Sequence, residues 1–432
     1  MRQGRRALWA VLAVALALRL GAFSLAVGRD PACMLEPDSP TYEGPAQALL
    51  AHGRFARVPE TPETPELHRT PGYPLFIAGV YALAGPNHIA LGLAQIALSL
   101  VPIIVVHRLG RRVWNQRAGR CAALLLALDP ISLITAGLIL SETAFTAVLA
   151  LAMLSGVRLL EAQHAAQLRA WLFGLLLALA ALVRPLAYYL IFPVVAGVVI
   201  AQQRVHGRWS RSLFVVLAVL APWLLLVGGW QARNYYVAGS PEFSLIANLD
   251  LFLYRAAGVV ALQEGESLEE AQARLLGELP EGEKLSEAER SAWYGRRARE
   301  ILLAHPVAAL RMTLSGAGRM LVGPGLALAR EYFSLGTRRL ARAVGFGLAG
   351  FTLVHLGVVY AGIALALWGL RRKTPDGWVH ALLVGTVLYF IALSSGPETY
   401  ARFRAPIMPL FCLYAGAGWQ QLGSRRSADT SD

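Results

Sequence analysis

The sequence predicts an all-α polytopic membrane protein with about ten transmembrane helices, and three observations predict it. Of 432 residues, 16% are charged and 56% hydrophobic, whereas a soluble domain carries about a quarter charged residues. Mean hydropathy is +0.49. Apolar runs of roughly 17–25 residues, bounded by arginines, match the length that crosses a hydrocarbon core of about 30 Å. A soluble enzyme, a disordered chain and a collagenous or coiled-coil rod are excluded.

The elements follow in order. Arg2, Arg5 and Arg6 precede an apolar run from Ala7 to about Val27. No small-residue cleavage site follows and Arg19 interrupts the run, so it reads as a retained first helix with its N-terminus inside. The next run, 87–106, ends at His107-Arg108-Leu109-Gly110-Arg111-Arg112, with Arg117 and Arg120 behind. That basic cluster belongs in the cytoplasm, which places loop 28–86 outside. Further runs cover 118–138, 143–160, 170–183, 186–201 and 211–230. Their basic connections (Arg158 and Arg169; Arg204, Arg208 and Arg211) fall inside.

From 231 to 343 the chain turns polar. Ser267 with Glu270 and Ser286 with Glu289 are capping boxes that open amphipathic helices. The stretch 307–328 holds Arg311 and Arg319, two charges that are expensive at bilayer depth, so it reads as an interfacial helix. That reading also keeps Arg371, Arg372 and Lys373 inside. Runs at 344–369, 378–394 and 405–421 complete the count. The organisation is an N-terminal transmembrane module at 1–230, an external helical region at 231–343, and C-terminal helices with a short cytoplasmic tail at 344–432.

Net charge is +13, from 40 Lys+Arg against 27 Asp+Glu. Only Lys284 and Lys373 are lysines, so an arginine here reflects composition unless its position adds a reason. Cys33, Cys121 and Cys412 form neither a disulfide framework nor a metal-ligand spacing.

The external loops hold the candidate chemistry. Glu36-Pro37-Asp38-Ser39-Pro40-Thr41-Tyr42-Glu43 follows the first helix, and His68-Arg69-Thr70-Pro71-Gly72-Tyr73 precedes the second span. Roughly sixty residues are far more than a connection needs. The plain alternative for Asp38 is a cap for the helix after it. Glu142 heads the fourth span, where capping is again the plain alternative, and Asp129-Pro130 interrupts the third. Arg233, with Tyr235, and Arg402 with Arg404 lie at external helix ends, against the positive-inside tendency. Snorkelling to headgroups would explain them; so would a phosphate clamp, for which the guanidinium fork is suited.

These segments together resemble a family. Asp38-Ser-x-x-Tyr42, Arg69-Thr-Pro-Gly-Tyr73-Pro-Leu-Phe76, Ser141-Glu142, Arg233-Asn234-Tyr235 and Arg402-Phe403-Arg404-Ala-Pro406 occur in the expected order along nearly the whole chain. The set resembles the C-type membrane glycosyltransferases of the dolichyl-phosphate-mannose protein mannosyltransferase superfamily (glycosyltransferase family 39). Its bacterial branch includes the lipid A aminoarabinose and galacturonic-acid transferases. The resemblance implies a C-type fold with juxtamembrane helices on its external loops. It also implies a polyprenyl-phosphate sugar donor and transfer at the periplasmic face of the inner membrane. Asp38 takes the role of the acidic residue acting on the acceptor.

The chain is short beside those relatives and lacks their large C-terminal domain or β-trefoil insert, so the acceptor stays open among envelope glycolipid, glycan and protein. Asp38 and Glu142 are the expected catalytic residues. Tyr42, Arg69, Tyr73, Asp129, Arg233, Tyr235, Arg402 and Arg404 are expected to bind substrate. No ligand cluster dictates a metal site, and a divalent ion is left open. Nucleic acid is not expected as a partner. The competing class is a multi-span lipid or glycolipid transporter or flippase, which would carry paired broken helices and charges near the midplane.

Overall fold

The computed structural model describes residues 2–161, 166–206, 209–280, 285–336, 339–370 and 377–429. Arg208, Lys284 and the basic run 371–373 lie outside the described residues. Among the described residues every regular element is helical, apart from a single bridge between Ala56 and Pro65. Eight helices are long and apolar enough to cross a membrane: Arg6–Val27, His88–Val113, Glu142–Leu160, Ala166–Val183, Pro185–Arg204, Ser212–Ala238, Arg342–Gly369 and Gly377–Ser394.

The segment expected as the third span is two helices instead, Gln116–Ala127 and Pro130–Thr135. Proline at 130 lacks the N–H an uninterrupted helix needs, and Asp129 starts the second helix by accepting a hydrogen bond from Ser132 N at 2.8 Å. The stretch 307–328 forms Pro306–Val322 and the start of Leu326–Tyr332, and neither is among the eight.

The last helix, Met408–Asp429, packs against Gln116–Ala127 and Arg339–Leu370. Gly416 lets the backbones meet, because a methyl there would stand 2.6 Å from both Ala118 O and Ala122 N. Small residues at such crossings are how membrane helices gain van der Waals contact without a hydrophobic driving force.

The region 231–343 builds a small core of its own. Both capping boxes form, Ser267 with Glu270 and Ser286 with Glu289. Phe252, Leu275, Tyr294, Ala298 and Ile301 are buried together beneath these helices, joined by Met312. Two anchors attach this region to loop 28–86: Leu245 N donates to Leu67 O at 3.0 Å, and Arg57 Nη2 lies 2.8 Å from Glu287 Oε1. All three cysteines are free.

Candidate active site

Asp38 stands at the turn that opens the helix Ser39–His52. It does not cap that helix: its backbone is already helical and its carboxylate accepts no bond from the first turn. The turn is fixed by Ser39, whose Oγ accepts from Glu36 N at 2.9 Å and donates to Ile139 O at 2.8 Å. Relieved of capping, the carboxylate turns to arginine. Arg69 Nη2 donates to Asp38 Oδ1 at 2.7 Å, while Nε reaches Thr41 Oγ1 at 2.9 Å and Nη1 reaches Tyr42 Oη at 3.2 Å.

Arg69 is itself held from behind. Its backbone N donates to Glu66 Oε1 at 2.8 Å, and its guanidinium lies over the Tyr42 ring at 4.5 Å. Burial disfavours its charge, but the neighbouring Tyr42 and Asp38 outweigh that and raise its pKa.

The second cation is Arg402, on the short 3₁₀ turn Ala401–Arg404. Three carboxylates from two parts of the chain surround it. Its Nε lies 3.2 Å from Glu142 Oε1, Nη1 3.6 Å from Glu36 Oε2 and Nη2 3.8 Å from Asp38 Oδ2. The side chain is 9% exposed, yet its Nε has no hydrogen-bond partner. Burial opposes the charge of Arg402, and Glu142 with Tyr400, Glu36 and Asp38 more than restores it. Glu36 is pushed up by burial, against the pull of Arg402.

Glu142 is buried at the first position of its helix and leaves capping undone. Its Oε1 meets Arg184 Nη1 at 3.1 Å as well as Arg402. Arg184 and Glu36 are the two members that the sequence reading missed. The signal for Arg184 was present, since it lies between the 170–183 and 186–201 runs on the external side, as Arg233 and Arg402 do. Glu36 lies two residues before Asp38, and only the Ser39 turn brings both carboxylates to one arginine.

Other expected site residues fall elsewhere. Tyr73 is fully buried behind Tyr42, ring centroids 5.0 Å apart, and donates to Gln95 Oε1 at 3.0 Å. Tyr235 is exposed beside Tyr236. Arg233 donates to Phe55 O and Glu66 O, both at 2.7 Å, and lies over Trp230 at 4.8 Å. It therefore fastens loop 55–66, which leads to Arg69. Arg404 is fully buried and donates to Met320 O at 2.7 Å and to Leu321 O and Gly323 O at 3.2 Å. Asp129 is also fully buried, 3.6 Å from His355 Nε2. These last three stand apart from the Asp38 cluster.

Residues 68–227 match the family model described as dolichyl-phosphate-mannose-protein mannosyltransferase. Across 98% of the chain the structure resembles archaeal oligosaccharyltransferase AglB from Archaeoglobus fulgidus, in complex with an inhibitory peptide and a dolichol-phosphate, with a TM-score of 0.56 at 14% identity. This chain carries that family's sequence pattern over residues 68–227, on the oligosaccharyltransferase fold. A second structure of the A. fulgidus enzyme, in complex with Zn and sulfate, matches over 96% of this chain with a TM-score of 0.55 at 12% identity. The chain spans about half the length of these solved relatives, 52% and 49%. No curated protein sequence matches it.

Among the described residues no group of three or more His, Cys, Asp and Glu side chains converges as metal ligands. The carboxylates of Glu36, Asp38 and Glu142 do approach one point, but the cation between them is the Arg402 guanidinium. The arrangement can do two things: hold an anion on partly unsatisfied guanidinium groups, and take a proton on a carboxylate within reach of that anion.

Proposed function

We propose that this protein is an integral-membrane glycosyltransferase of the bacterial inner membrane. It moves a sugar from a polyprenyl phosphate to a periplasmic acceptor, an envelope glycolipid, glycan or protein. The observation that carries this is Arg402. Its guanidinium is nine-tenths buried, stands beside Arg184 on the same Glu142 oxygen, and lies within reach of the Asp38 carboxylate, which puts fixed positive charge next to a base. The A. fulgidus relative binds a dolichol-phosphate, the same lipid-phosphate chemistry.

An apolar groove of about 420 Å³ supports a lipid-linked donor. It runs along Gly377–Ser394 from Trp378 to Ala392, faced by Pro193, Val194 and Val198. At about 1.5 Å per residue, that is roughly 20 Å of path for an isoprenoid chain. Its upper end adjoins Arg184: Tyr389, which lines the groove, donates to Leu186 O at 2.6 Å, and Arg184 lies 6.0 Å from the Phe145 ring that Phe390 packs against. A polyprenyl tail lying there would present its phosphate to Arg184 and Arg402.

In this reading Asp38 is the general base. It takes the proton from the acceptor hydroxyl as that oxygen bonds to the anomeric carbon. The bond from anomeric carbon to phosphate oxygen breaks with its electron pair passing to the phosphate, which gains a charge beside Arg402. Fixed positive charge where negative charge develops is worth a few kcal/mol in a partly desolvated site, about 2.7–4 for a single well-placed donor. Glu142 holds Arg184 and Arg402 on one carboxylate oxygen, at 3.1 and 3.2 Å.

Transport fits less well. Arg19, a charge within the first span, is enclosed beside a cavity of about 20 Å³, room for about a single water. That gives a lipid headgroup no path. The deciding experiment is transfer by purified protein in detergent, supplied with a polyprenyl-phosphate sugar and an extract of envelope acceptors. Release of free polyprenyl phosphate that depends on both Asp38 and Arg402 supports the reading, and release that persists in both variants removes it.

A further inference from the structure

We propose that Asp38 and the donor phosphate compete for the same guanidinium groups, so that donor binding frees Asp38 to act and the donor binds before the acceptor. The proposal rests on the glycosyltransferase reading above and adds a binding order to it. Both carboxylate oxygens of Asp38 face arginine: Oδ1 accepts from Arg69 Nη2 at 2.7 Å, and Oδ2 lies 3.8 Å from Arg402 Nη2. The Arg69 bond competes with an acceptor hydroxyl for Oδ1 and holds the carboxylate turned toward the arginines. The charge-assisted bond to Arg69 is also the strongest of that arginine's contacts, since its other partners are the neutral hydroxyls of Thr41 and Tyr42.

The phosphate is the natural competitor. Arg402 is nine-tenths buried, holds its three carboxylates at 3.2–3.8 Å and has an Nε without a hydrogen bond. A phosphate oxygen arriving there draws Arg402 and Arg69 toward itself and leaves Asp38 Oδ1 exposed. The Asp38 side chain is 45% exposed, the most open of the acidic groups around Arg402, so an acceptor can reach it once released. After transfer the phosphate carries an added charge and keeps the arginines. When the lipid phosphate departs, Arg69 returns to Asp38 and again competes with an acceptor hydroxyl for it.

The test is the affinity of purified protein for farnesyl phosphate, a short soluble polyprenyl phosphate. Asp38→Asn removes the competitor and should tighten binding about five- to thirtyfold, the range expected for loss of a half-exposed charge-assisted hydrogen bond. Glu36→Gln removes an equal charge 3.6 Å from Arg402 without touching Arg69 and should tighten binding less than about threefold. In an Arg69→Gln background the Asp38→Asn effect should shrink below about threefold. Equal affinity of the wild-type and Asp38→Asn proteins overturns the competition, as does equal tightening by Glu36→Gln or an undiminished effect without Arg69. Failure of the wild-type protein to bind farnesyl phosphate at all overturns the donor reading, and the competition with it.

Discussion

Arg402 Nε stands 3.2 Å from Glu142 Oε1, joining the turn before the last helix to the head of the fourth expected span. Arg184 Nη1 meets the same oxygen at 3.1 Å. One buried carboxylate thus sets the distance between two guanidinium groups. Removing either partner of such a buried set leaves an uncompensated charge, which is why its members should behave as a unit in mutagenesis.

Asp38→Asn keeps the size of the side chain and removes the basic oxygen. Turnover should fall about 10²–10⁴-fold, the usual contribution of a general base. Glu43→Gln is the matched control, because Glu43 is occupied by Tyr81 and by His88 Nε2 at 2.7 Å, away from the arginines. More than about a tenth of wild-type transfer in Asp38→Asn protein would sink the assignment.

Arg402→Lys and Arg184→Lys keep the charge but lose the planar fork. Each should lower kcat/KM for the donor by about 10²-fold, with Arg117→Ala on the exposed basic side changing it by less than about twofold. Similar losses in all three variants would count against a phosphate clamp.

Arg233 makes a different forecast, since its donors are spent on Phe55 O and Glu66 O. Arg233→Gln should destabilise the protein by about 1–3 kcal/mol, the penalty of leaving such acceptors unpaired. Limited proteolysis should then open loop 53–66 first. Intact stability together with a pure loss of donor affinity would instead return Arg233 to a phosphate-binding role.

Topology is open to cysteine labelling in a cysteine-free background. Probes added outside the cell should reach positions 60, 280 and 335, and should not reach 115. Labelling at 115 would invert the orientation and move the Asp38 cluster to the cytoplasmic side.

Composition, run length and cap signals were enough to establish the helical class and the two capping boxes. These are properties of neighbouring residues, and helix periodicity and caps are written locally. The same reading singled out Arg402 as a cation where the positive-inside tendency disfavours one, and Asp38, Arg69 and Glu142 by their loop and helix-end positions and the family resemblance. Which charges meet was decided by the fold. Arg402 and Arg404 look equivalent in sequence, but on a 3₁₀ turn of about three residues per turn they point to different sides. One reaches the carboxylates, and the other turns its Nη1 to the carbonyls at the end of Pro306–Val322. Arg233 likewise became a fastener because loop 55–66 passes over it, and Arg184 joined the cluster because Glu142 faces it across a helix pair. Such partners lie far apart in the chain, and no local pattern encodes a contact that exists only after the helices have packed.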